Sequence, residues 1–313
     1  MPWPAACAKG GRVSPEIFDK LSAALRGRVL VREPLSRHTT WRVGGPADLF
    51  LVPVDRSDLL AALGLCHEAG LPWMVLGAGS NLLVRDGGIR GAVIHTGGLK
   101  ELVFEEEGLA RAGGGLPLMT LIRETVRRGL AGLEALAGIP GTVGGGVTMN
   151  AGAGGQDLAG VVRAVTLASP EGEEIWEAPR LHFGYRGSSL PRDRVVVEVL
   201  LAFERKDPAA LEQTIREHLA RRRSSQGVRG PSAGSVFKNP TGTPAWRLID
   251  EAGLRGASVG GAQVSTVHTN FIVNTGGATA RDVMELIEYV RKTVCSRSGV
   301  TLEPEVRIAG EDG

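Results

Sequence analysis

Cysteine and long apolar runs are both scarce in this 313-residue chain. Its three cysteines, Cys7, Cys66 and Cys295, have neither metal-ligand nor disulfide spacing, which is typical of a reducing cytosol. No run approaches the roughly 18 apolar residues of a membrane span. The sequence before Cys7 resembles a lipoprotein cleavage site, but too few residues precede it to form an apolar signal core. We therefore expect a cytoplasmic protein that does not bind membranes.

A strong charge of either sign is also missing. Thirty-six basic residues oppose 34 acidic ones, for a formal charge of +2. This balance provides neither the basic stripe of a nucleic-acid-binding protein nor an acidic tail. The six histidines are separated in sequence and suggest no metal site. We expect a monomer with no metal and no nucleic-acid partner.

Glycine, in contrast, is abundant. The chain has 45 glycines, about twice the usual share, in clusters without a collagen period. The densest clusters are Gly138–Gly155 and Gly77–Val84. Glycine lets backbone approach a ligand closely, and successive free N–H groups form concave anion-binding nests. One such cluster is usually a turn between strands, but two favour a ligand site.

Two familiar nucleotide motifs do not fit these clusters. Gly77 and Gly79 match the first glycines of a dinucleotide fingerprint, but Leu82 stands at the third and a strand follows. The Rossmann interpretation therefore fails. A Walker loop fails as well, because no Gly-Lys-Ser/Thr follows a glycine run.

The sequence patterns predict both helices and strands along the chain. The pattern predicts a disordered segment over residues 1–12, a helix with Ser14 as its N-cap, and a strand–helix–strand unit ending at Gly77. The glycine-rich pattern predicts one long loop over residues 138–155. The other predicted elements are helices over 117–128, 207–223, 244–252 and 279–295, and strands over 161–168, 174–177, 195–203 and 300–308.

A few polar residues are candidates for chemistry. Ser235 lies in a glycine turn, and Phe237 breaks the Gly-x-Ser-x-Gly pattern of a hydrolase, so a triad nucleophile is disfavoured. It can still donate a proton if charged neighbours hold it. The guanidinium of Arg186 is planar, and its geometry suits binding of a carboxylate or a phosphate. Strand alternation would place Glu303, Glu305 and Arg307 on one face. Structural roles for each remain open at this point.

The order and spacing of these motifs resemble the UDP-N-acetylenolpyruvoylglucosamine reductase family, in its short form, over nearly the whole chain. The segments that carry the resemblance are Thr40–Gly45, Gly77–Val84, Gly138–Gly141, Asn150–Gly152, Tyr185-Arg186, Gly234–Pro240 and Glu303–Val306.

The resemblance implies a FAD-binding fold of the vanillyl-alcohol-oxidase type, made of two lobes, with a C-terminal α+β substrate-binding lobe. The implied boundaries are an N-terminal arm and helix (1–32), the FAD-binding domain (33–205, with lobes 33–99 and 100–205), the substrate-binding domain (206–299) and a returning strand and tail (300–313). NADPH and the sugar nucleotide would enter one pocket in turn.

The resemblance also implies residue roles. Arg186 and Glu305 match the positions that stabilise the reduced substrate, and Ser235 matches the proton donor. The expected FAD contacts are Trp41, Val43, Gly77, Ala78, Gly79, Ser80, Asn81, Leu82, Gly138, Ile139, Gly141, Thr142, Gly145, Asn150, Ala151 and Gly152. The expected substrate contacts are Tyr185, Arg222, Lys238, Asn239 and His268.

The implied activity is reduction of UDP-N-acetylglucosamine enolpyruvate to UDP-N-acetylmuramate, with FAD as cofactor and NADPH as reductant, for peptidoglycan synthesis. The alternatives are another FAD-dependent oxidase or dehydrogenase of the same fold, or a flavin carrier without activity. One segment departs from the family pattern. Gln226 is followed by glycine instead of the usual proline, which affects the shape of the loop that follows.

We predict that FAD is bound without a covalent link, because no cysteine or histidine stands where a flavin linkage can be argued. Precipitating the purified yellow protein with acid should release the colour into the supernatant, measured by absorbance. Flavin that remains in the pellet would contradict this prediction.

Overall fold

The computed structural model describes residues 14–313, so the predicted disorder over residues 1–12 lies outside the described part. Helices and strands alternate as an α+β fold in which three separate sheets each carry helices. We call these units the first, second and third lobes in chain order.

The first lobe is a four-stranded mixed sheet with two helices. Its elements are α1 (Pro15–Ala24), β1 (Arg28–Pro34), β2 (Pro46–Val52), α2 (Arg56–Glu68), β3 (Trp73–Leu76), β4 (Leu82–Val84) and β5 (Ile89–His95). The strand order is β1-β2-β5-β3, in which β5 runs parallel to both β2 and β3. Helix α1 begins as predicted, because the Ser14 side chain accepts a hydrogen bond from the Ile17 N–H. Residues 28–32, which the sequence analysis placed in the N-terminal arm, lie in edge strand β1.

The second lobe is an antiparallel sheet of five strands in the order β12-β11-β13-β7-β6. Its elements are β6 (Leu102–Phe104), β7 (Leu109–Gly113), α3 (Leu118–Arg127), β8 (Leu130–Ala131), α4 (Val143–Met149), β9 (Gly152–Ala153), β10 (Gln156–Asp157), β11 (Val162–Ser169), β12 (Gly172–Glu177), β13 (Val195–Ala202) and β14 (Glu204–Arg205). Central strand β13 is the apolar run that the sequence analysis read as a buried strand, and it is mostly buried.

Helix α4 lies inside the stretch that the sequence analysis read as one long loop, and that interpretation is wrong. Three successive glycines, 144–146, are poor helix formers, yet capping fixes both ends of the helix. The Thr142 side chain accepts a hydrogen bond from the Gly145 N–H, and Asn150 ends the helix in the left-handed conformation at φ 42°. Glycine also permits close packing here, since a Cβ on Gly144 would lie 2.9 Å from the Gly114 carbonyl oxygen.

The third lobe combines a small antiparallel sheet, β15-β16-β17, with helices. The remaining elements of the chain are α5 (Pro208–Gln226), α6 (Ala245–Glu251), β15 (Ser258–Val259), β16 (Ala262–Val264), β17 (Ile272–Asn274), α7 (Ala280–Ser298) and β18 (Arg307–Ala309). Helix α7 begins with a capping box between Thr279 and Asp282 and ends at left-handed Gly299.

Two elements depart from the predicted layout. The boundary at residue 206 assigned α5 to the third lobe, but its buried residues Leu211 and Ile215 pack in the core of the second. The predicted strand over 300–308 is formed only over residues 307–309, because the backbone before it makes separate contacts with residues 236–238.

Several contacts hold the third lobe against the first. Trp41 is fully buried in the third-lobe core, and its indole N–H donates to the Ile272 carbonyl at 2.7 Å. Strand β18 pairs with β4 in parallel. The Asp86 carboxylate accepts hydrogen bonds from the N–H groups of Ala280 and Arg281, at 2.8 and 2.9 Å, at the start of α7.

We predict that Asp86→Ala lowers the free energy of unfolding by about 1 kcal/mol, because two N–H groups and the positive end of α7 lose their acceptor. Urea denaturation of both proteins measures the change. The matched control is Asp312→Ala, which removes an exposed carboxylate that pairs with Arg85 and should change stability by less than about 0.5 kcal/mol. Equal effects of the two substitutions would show that the α7 contact contributes nothing specific.

Candidate functional site

A cavity of about 1410 Å³ lies where the three lobes meet. Its wall includes both glycine clusters, residues 232–235 of the third lobe, and residues 304–311 near the C-terminus. Pockets for drug-sized ligands usually measure about 300–1,000 Å³. This cavity therefore has room for a ligand of dinucleotide size.

The two glycine clusters contact each other in the cavity wall. The Ser80 hydroxyl donates to the Pro140 carbonyl at 3.1 Å. A Cβ on Gly77 would lie 2.6 Å from the Thr142 hydroxyl oxygen, which is too close for any side chain. Glycine at position 77 is therefore required for the loops to approach each other, independently of any ligand.

The loops differ in the N–H groups that they offer to a ligand. Within residues 14–313, the backbone N–H groups of Ala78, Gly79 and Ser80 donate no hydrogen bond, and Gly79 is buried. In the second cluster, the N–H groups of Val143 and Gly144 donate to carbonyls of the preceding segment. Residues 78–80 of the first cluster therefore have unpaired N–H groups of the kind that an anion-binding nest needs, whereas packing against residues 114–116 occupies these two N–H groups of the second cluster.

Most of the expected FAD contacts line this cavity: Gly77, Ala78, Gly79, Ser80, Asn81, Leu82, Gly138, Ile139, Gly141, Thr142, Gly145, Ala151 and Gly152. The unpaired N–H groups at 78–80 and the side-chain-free surface of the glycines fit the polar edge and flat ring of a flavin nucleotide.

Three expected FAD contacts lie elsewhere. Trp41 and Val43 are buried in the third-lobe core. Asn150 is 5% exposed, and its amide group bonds to Asp157, to the Gly184 carbonyl and to the Ala159 N–H. The Asn150 side chain thus joins backbone segments beside the cavity, whereas the Trp41 side chain bonds within the third lobe.

The Arg186–Glu305 ion pair lies in the cavity wall. Arg186 adopts a left-handed backbone at φ 57°, and its Nε is 3.1 Å from Glu305 Oε1. The side chains are 24% and 18% exposed, respectively. Burial raises the pKa of the Glu305 carboxyl, although the positive charges of Arg186 and Lys238 oppose this shift. Glu305 therefore keeps a proton to a higher pH than an exposed glutamate does.

Ser235 lines the same cavity and follows Gly234, which has φ 74°. Its hydroxyl makes no hydrogen bond within the described residues, so it is free to contact a ligand. The Val236 carbonyl next to it accepts a hydrogen bond from the Glu305 N–H at 2.7 Å. Although they are 70 residues apart in the sequence, Ser235 and Glu305 therefore lie on neighbouring backbone segments.

The expected substrate contacts divide into two groups. Lys238, Asn239 and Arg222 line the cavity. Lys238 pairs with Glu303, whose side chain is 70% exposed, and the Asn239 side chain accepts from the Ala245 N–H at the start of α6. The Arg222 Nε donates to the Ala137 carbonyl beside Gly138, and burial lowers the pKa of its guanidinium.

Tyr185 and His268 do not line the cavity. The Tyr185 side chain is 58% exposed and packs against the Arg186 guanidinium. His268 packs against Trp246 and Phe271, and burial lowers the pKa of its imidazole. Neither residue touches the cavity in this arrangement.

Further cationic residues, to which the sequence analysis assigned no role, line the wall. These are Arg85, Arg90, Arg192 and Arg194, and Arg307 also faces the cavity. Arginines are frequent along this chain, and no local motif distinguishes the first four, whereas strand alternation had already placed Arg307 on one face with Glu303 and Glu305. Only the packing of the three lobes shows that they surround one volume.

Two negative findings concern the described residues. Residues 14–313 contain no group of three or more histidine, cysteine or acidic side chains arranged to hold a metal ion. Within the same residues, we find no helix with both the length and the apolar character needed to cross a membrane.

Comparison with known proteins identifies the class and then the family. Residues 47–177 match the FAD binding domain family, and residues 226–309 match the C-terminal domain of UDP-N-acetylenolpyruvoylglucosamine reductase. The chain is thus a FAD-dependent oxidoreductase, with the expected FAD-binding fold of the vanillyl-alcohol-oxidase type and a C-terminal α+β lobe. This confirms the predicted fold class and cofactor.

The relatives narrow this class to one family. UDP-N-acetylenolpyruvoylglucosamine reductase of Syntrophotalea carbinolica is 56% identical, over 93% of this chain and 98% of the relative. The enzyme of the same name from Heliobacterium modesticaldum is 48% identical, over 95% of each chain. A crystal structure of UDP-N-acetylenolpyruvylglucosamine reductase from Thermus caldophilus is 36% identical and covers 91% of this chain and 99% of that one, with a TM-score of 0.77. The chain belongs to the UDP-N-acetylenolpyruvoylglucosamine reductase family.

We predict that Gly145→Val prevents FAD retention without unfolding the protein. Gly145 is exposed to the cavity, and a Cβ there would meet only the Thr142 hydroxyl, at 3.3 Å. The valine side chain would then occupy ligand space. Overpacking a filled site costs about 1–3 kcal/mol, so the affinity for flavin, measured by absorbance of the retained cofactor, should fall by about 5- to 150-fold.

The matched control is Gly64→Val in helix α2, where a Cβ would meet nothing within 4 Å. Both substitutions replace a helical glycine by a better helix former, so circular dichroism melts should show no loss of stability for either. Normal flavin content in Gly145→Val would show that this part of α4 does not face the cofactor.

Proposed function

We propose that the protein reduces UDP-N-acetylglucosamine enolpyruvate to UDP-N-acetylmuramate, with NADPH as the reductant. The reaction adds a hydride and a proton across the enolpyruvyl double bond, and NADPH becomes NADP⁺. FAD, when bound, supplies the carrier that takes the hydride from NADPH and passes it to the sugar nucleotide. The observation that carries the proposal is the meeting of Arg186, Ser235 and Glu305 in one cavity with both glycine clusters.

Arg186 and Glu305 suit the stabilisation of the enolate that follows hydride addition. The Arg186 guanidinium is part-buried, and a fixed cation in such a site stabilises developing negative charge more strongly than it would in water. The Glu305 carboxyl beside it is also largely shielded from water, and this burial raises its pKa. A substrate carboxylate beside this pair would therefore gain more as its enolate charge develops than in the ground state.

Ser235 suits the protonation of this enolate. Its hydroxyl is unpaired within the described residues and lies in the cavity, so its proton is available to a bound ligand. A serine hydroxyl is a weak acid, and it can donate only where neighbouring groups favour the transition state. The ion pair of Arg186 and Glu305 provides such neighbours.

The remaining assignments follow from the same cavity. Lys238, Asn239 and Arg222 are proposed to bind the sugar nucleotide. We also propose that the protein acts as a monomer in the cytoplasm. One chain supplies all three candidate catalytic residues, and NADPH and nucleotide sugars are both cytoplasmic compounds.

We predict that Ser235→Ala separates the two halves of the reaction. Loss of flavin absorbance on mixing with NADPH should proceed at the wild-type rate, because the hydroxyl is assigned only to the substrate. Return of absorbance on adding the enolpyruvyl sugar should slow by about 10²–10⁴-fold, as for loss of a positioned proton donor. Stopped-flow absorbance under anaerobic conditions measures both steps.

Two further variants sharpen this test. Ser235→Cys should recover part of the lost rate, because a thiol donates a proton from nearly the same place. Thr241→Ala removes an exposed hydroxyl from the same segment and should change neither step. If Ser235→Ala slows reduction by NADPH while flavin stays bound, Ser235 positions the nicotinamide and Glu305 becomes the first candidate for the proton donor.

A further inference from the structure

The segment that carries Ser235 has buried side chains on both sides of this residue, Ala233 before it and Val236 and Phe237 after it. Gly234 between them is left-handed, at φ 74°, and a Cβ there would meet nothing within 4 Å. The Ser235 hydroxyl itself makes no hydrogen bond within residues 14–313. The hydrogen bonds nearest to this hydroxyl are made by the backbone of residues 236–238, which follow it.

Asn270 holds these residues through both its side chain and its backbone. Its side-chain oxygen accepts from the Phe237 N–H at 3.0 Å, and its side-chain NH₂ donates to the Phe237 carbonyl at 2.8 Å. Its backbone carbonyl accepts from the Val236 N–H at 2.8 Å. Asn270 is 3% exposed, and both Val236 and Phe237 are buried. One residue thus pairs with three backbone groups next to Ser235.

On its other side, the same segment is bonded to the segment that carries Glu305. The Glu305 N–H donates to the Val236 carbonyl at 2.7 Å, and the Lys238 N–H donates to the Glu303 carbonyl at 2.9 Å. Residues 236–238 therefore lie between Asn270 and Glu305. Any shift of the segment away from Asn270 changes the distance between Ser235 and the Arg186–Glu305 pair.

An amide of this length satisfies both groups of Phe237 at once, because it both donates and accepts a hydrogen bond. A carboxylate can only accept hydrogen bonds, and an apolar side chain leaves a buried N–H and a buried carbonyl unpaired, at a cost of about 1–3 kcal/mol. A protonated aspartic acid has the same shape and restores both hydrogen bonds. Replacing Asn270 by aspartate therefore makes the anchor depend on pH.

We propose that Asn270 is the positioning residue for Ser235, acting through the Phe237 backbone on the protonation of the substrate and not on FAD or NADPH. The proposal rests on the proposed function, in which Ser235 donates that proton. It assigns a role in the reaction to a buried side chain that does not line the cavity.

Asn270→Asp tests this role in the flavin-containing enzyme. At pH 8 the carboxylate cannot donate to the Phe237 carbonyl, so reoxidation by the enolpyruvyl sugar should slow at least about tenfold, since a misplacement near 1 Å can cost 10²-fold. Flavin content, reduction by NADPH and calorimetric affinity for the sugar nucleotide should stay within about threefold of wild type. The loss should appear in kcat rather than in KM.

Lowering the pH should then restore the rate of reoxidation in Asn270→Asp. Burial raises the pKa of an isolated carboxyl, so Asn270→Asp should regain much of the lost reoxidation rate as the pH falls toward about 5, relative to wild type at each pH. Asn270→Ala should show the same selective loss without recovery at low pH. A general structural role does not produce this difference between the two variants.

Asn274→Asp is the matched control in the same lobe. The Asn274 side chain also donates to a backbone carbonyl, that of Trp41 at 3.0 Å, and accepts from the N–H groups of Gly276 and Ala278. Its replacement should lower the melting temperature but leave the ratio of the two half-reaction rates unchanged. The same selective, pH-reversible loss in Asn274→Asp would overturn the proposal.

Other outcomes are equally decisive. Unchanged reoxidation in Asn270→Asp at pH 8, or loss of both steps together with flavin, would also overturn it, as would failure of both Asn270 variants to fold. Failure of the proposed function looks different: wild-type reduced enzyme would not be reoxidised by the enolpyruvyl sugar at all.

Discussion

The site depends on the backbone hydrogen bonds of residues 303–309, which join the third lobe to the first. On one side, Glu305 and Glu303 pair with residues 236–238. On the other, the Arg307 N–H donates to the Asn81 carbonyl, the Asn81 side chain donates to the Glu305 carbonyl, and β18 extends β4. Glu305 lies between these two sets of bonds. A single segment thus positions a half-buried carboxyl against both the glycine cluster that begins at Gly77 and the segment that carries Ser235.

Burial of charged groups gives the site its chemical character. Arg186 and Glu305 are both largely shielded from water, and they are joined by an ion pair of 3.1 Å. Such a pair contributes little to stability, because the loss of hydration offsets the attraction. The ion pair contributes to function instead, because its fixed charges act on a bound ligand in a region where water screens them weakly. This burial also raises the pKa of the Glu305 carboxyl.

Glycine serves two purposes around the cavity. At Gly77 and Gly144 it allows parts of the protein to pack against each other, and any side chain would collide with Thr142 or with the Gly114 carbonyl. At Gly145 it leaves ligand space open, since a Cβ there meets little protein. A count of glycines in the sequence cannot separate these purposes. The direction in which the missing side chain would point decides between them.

Local patterns in the sequence determined the elements that short-range interactions control. Ser14 begins a helix because its side chain accepts from a backbone N–H three residues later, and the apolar run at 195–202 forms a buried strand. The motifs at 77–84, 138–152, 185–186 and 234–240 were sufficient to identify the family and the cofactor, because their order and spacing together are specific.

Tertiary structure decided the features that depend on contacts between residues far apart in the sequence. Helix α4 forms from glycine-rich sequence because caps and neighbouring backbone compensate for poor propensity. Helix α5 packs on the second lobe because of where its apolar residues lie. Asn270 carries no sequence motif, and its importance follows only from the 33-residue separation that folding closes between it and Phe237.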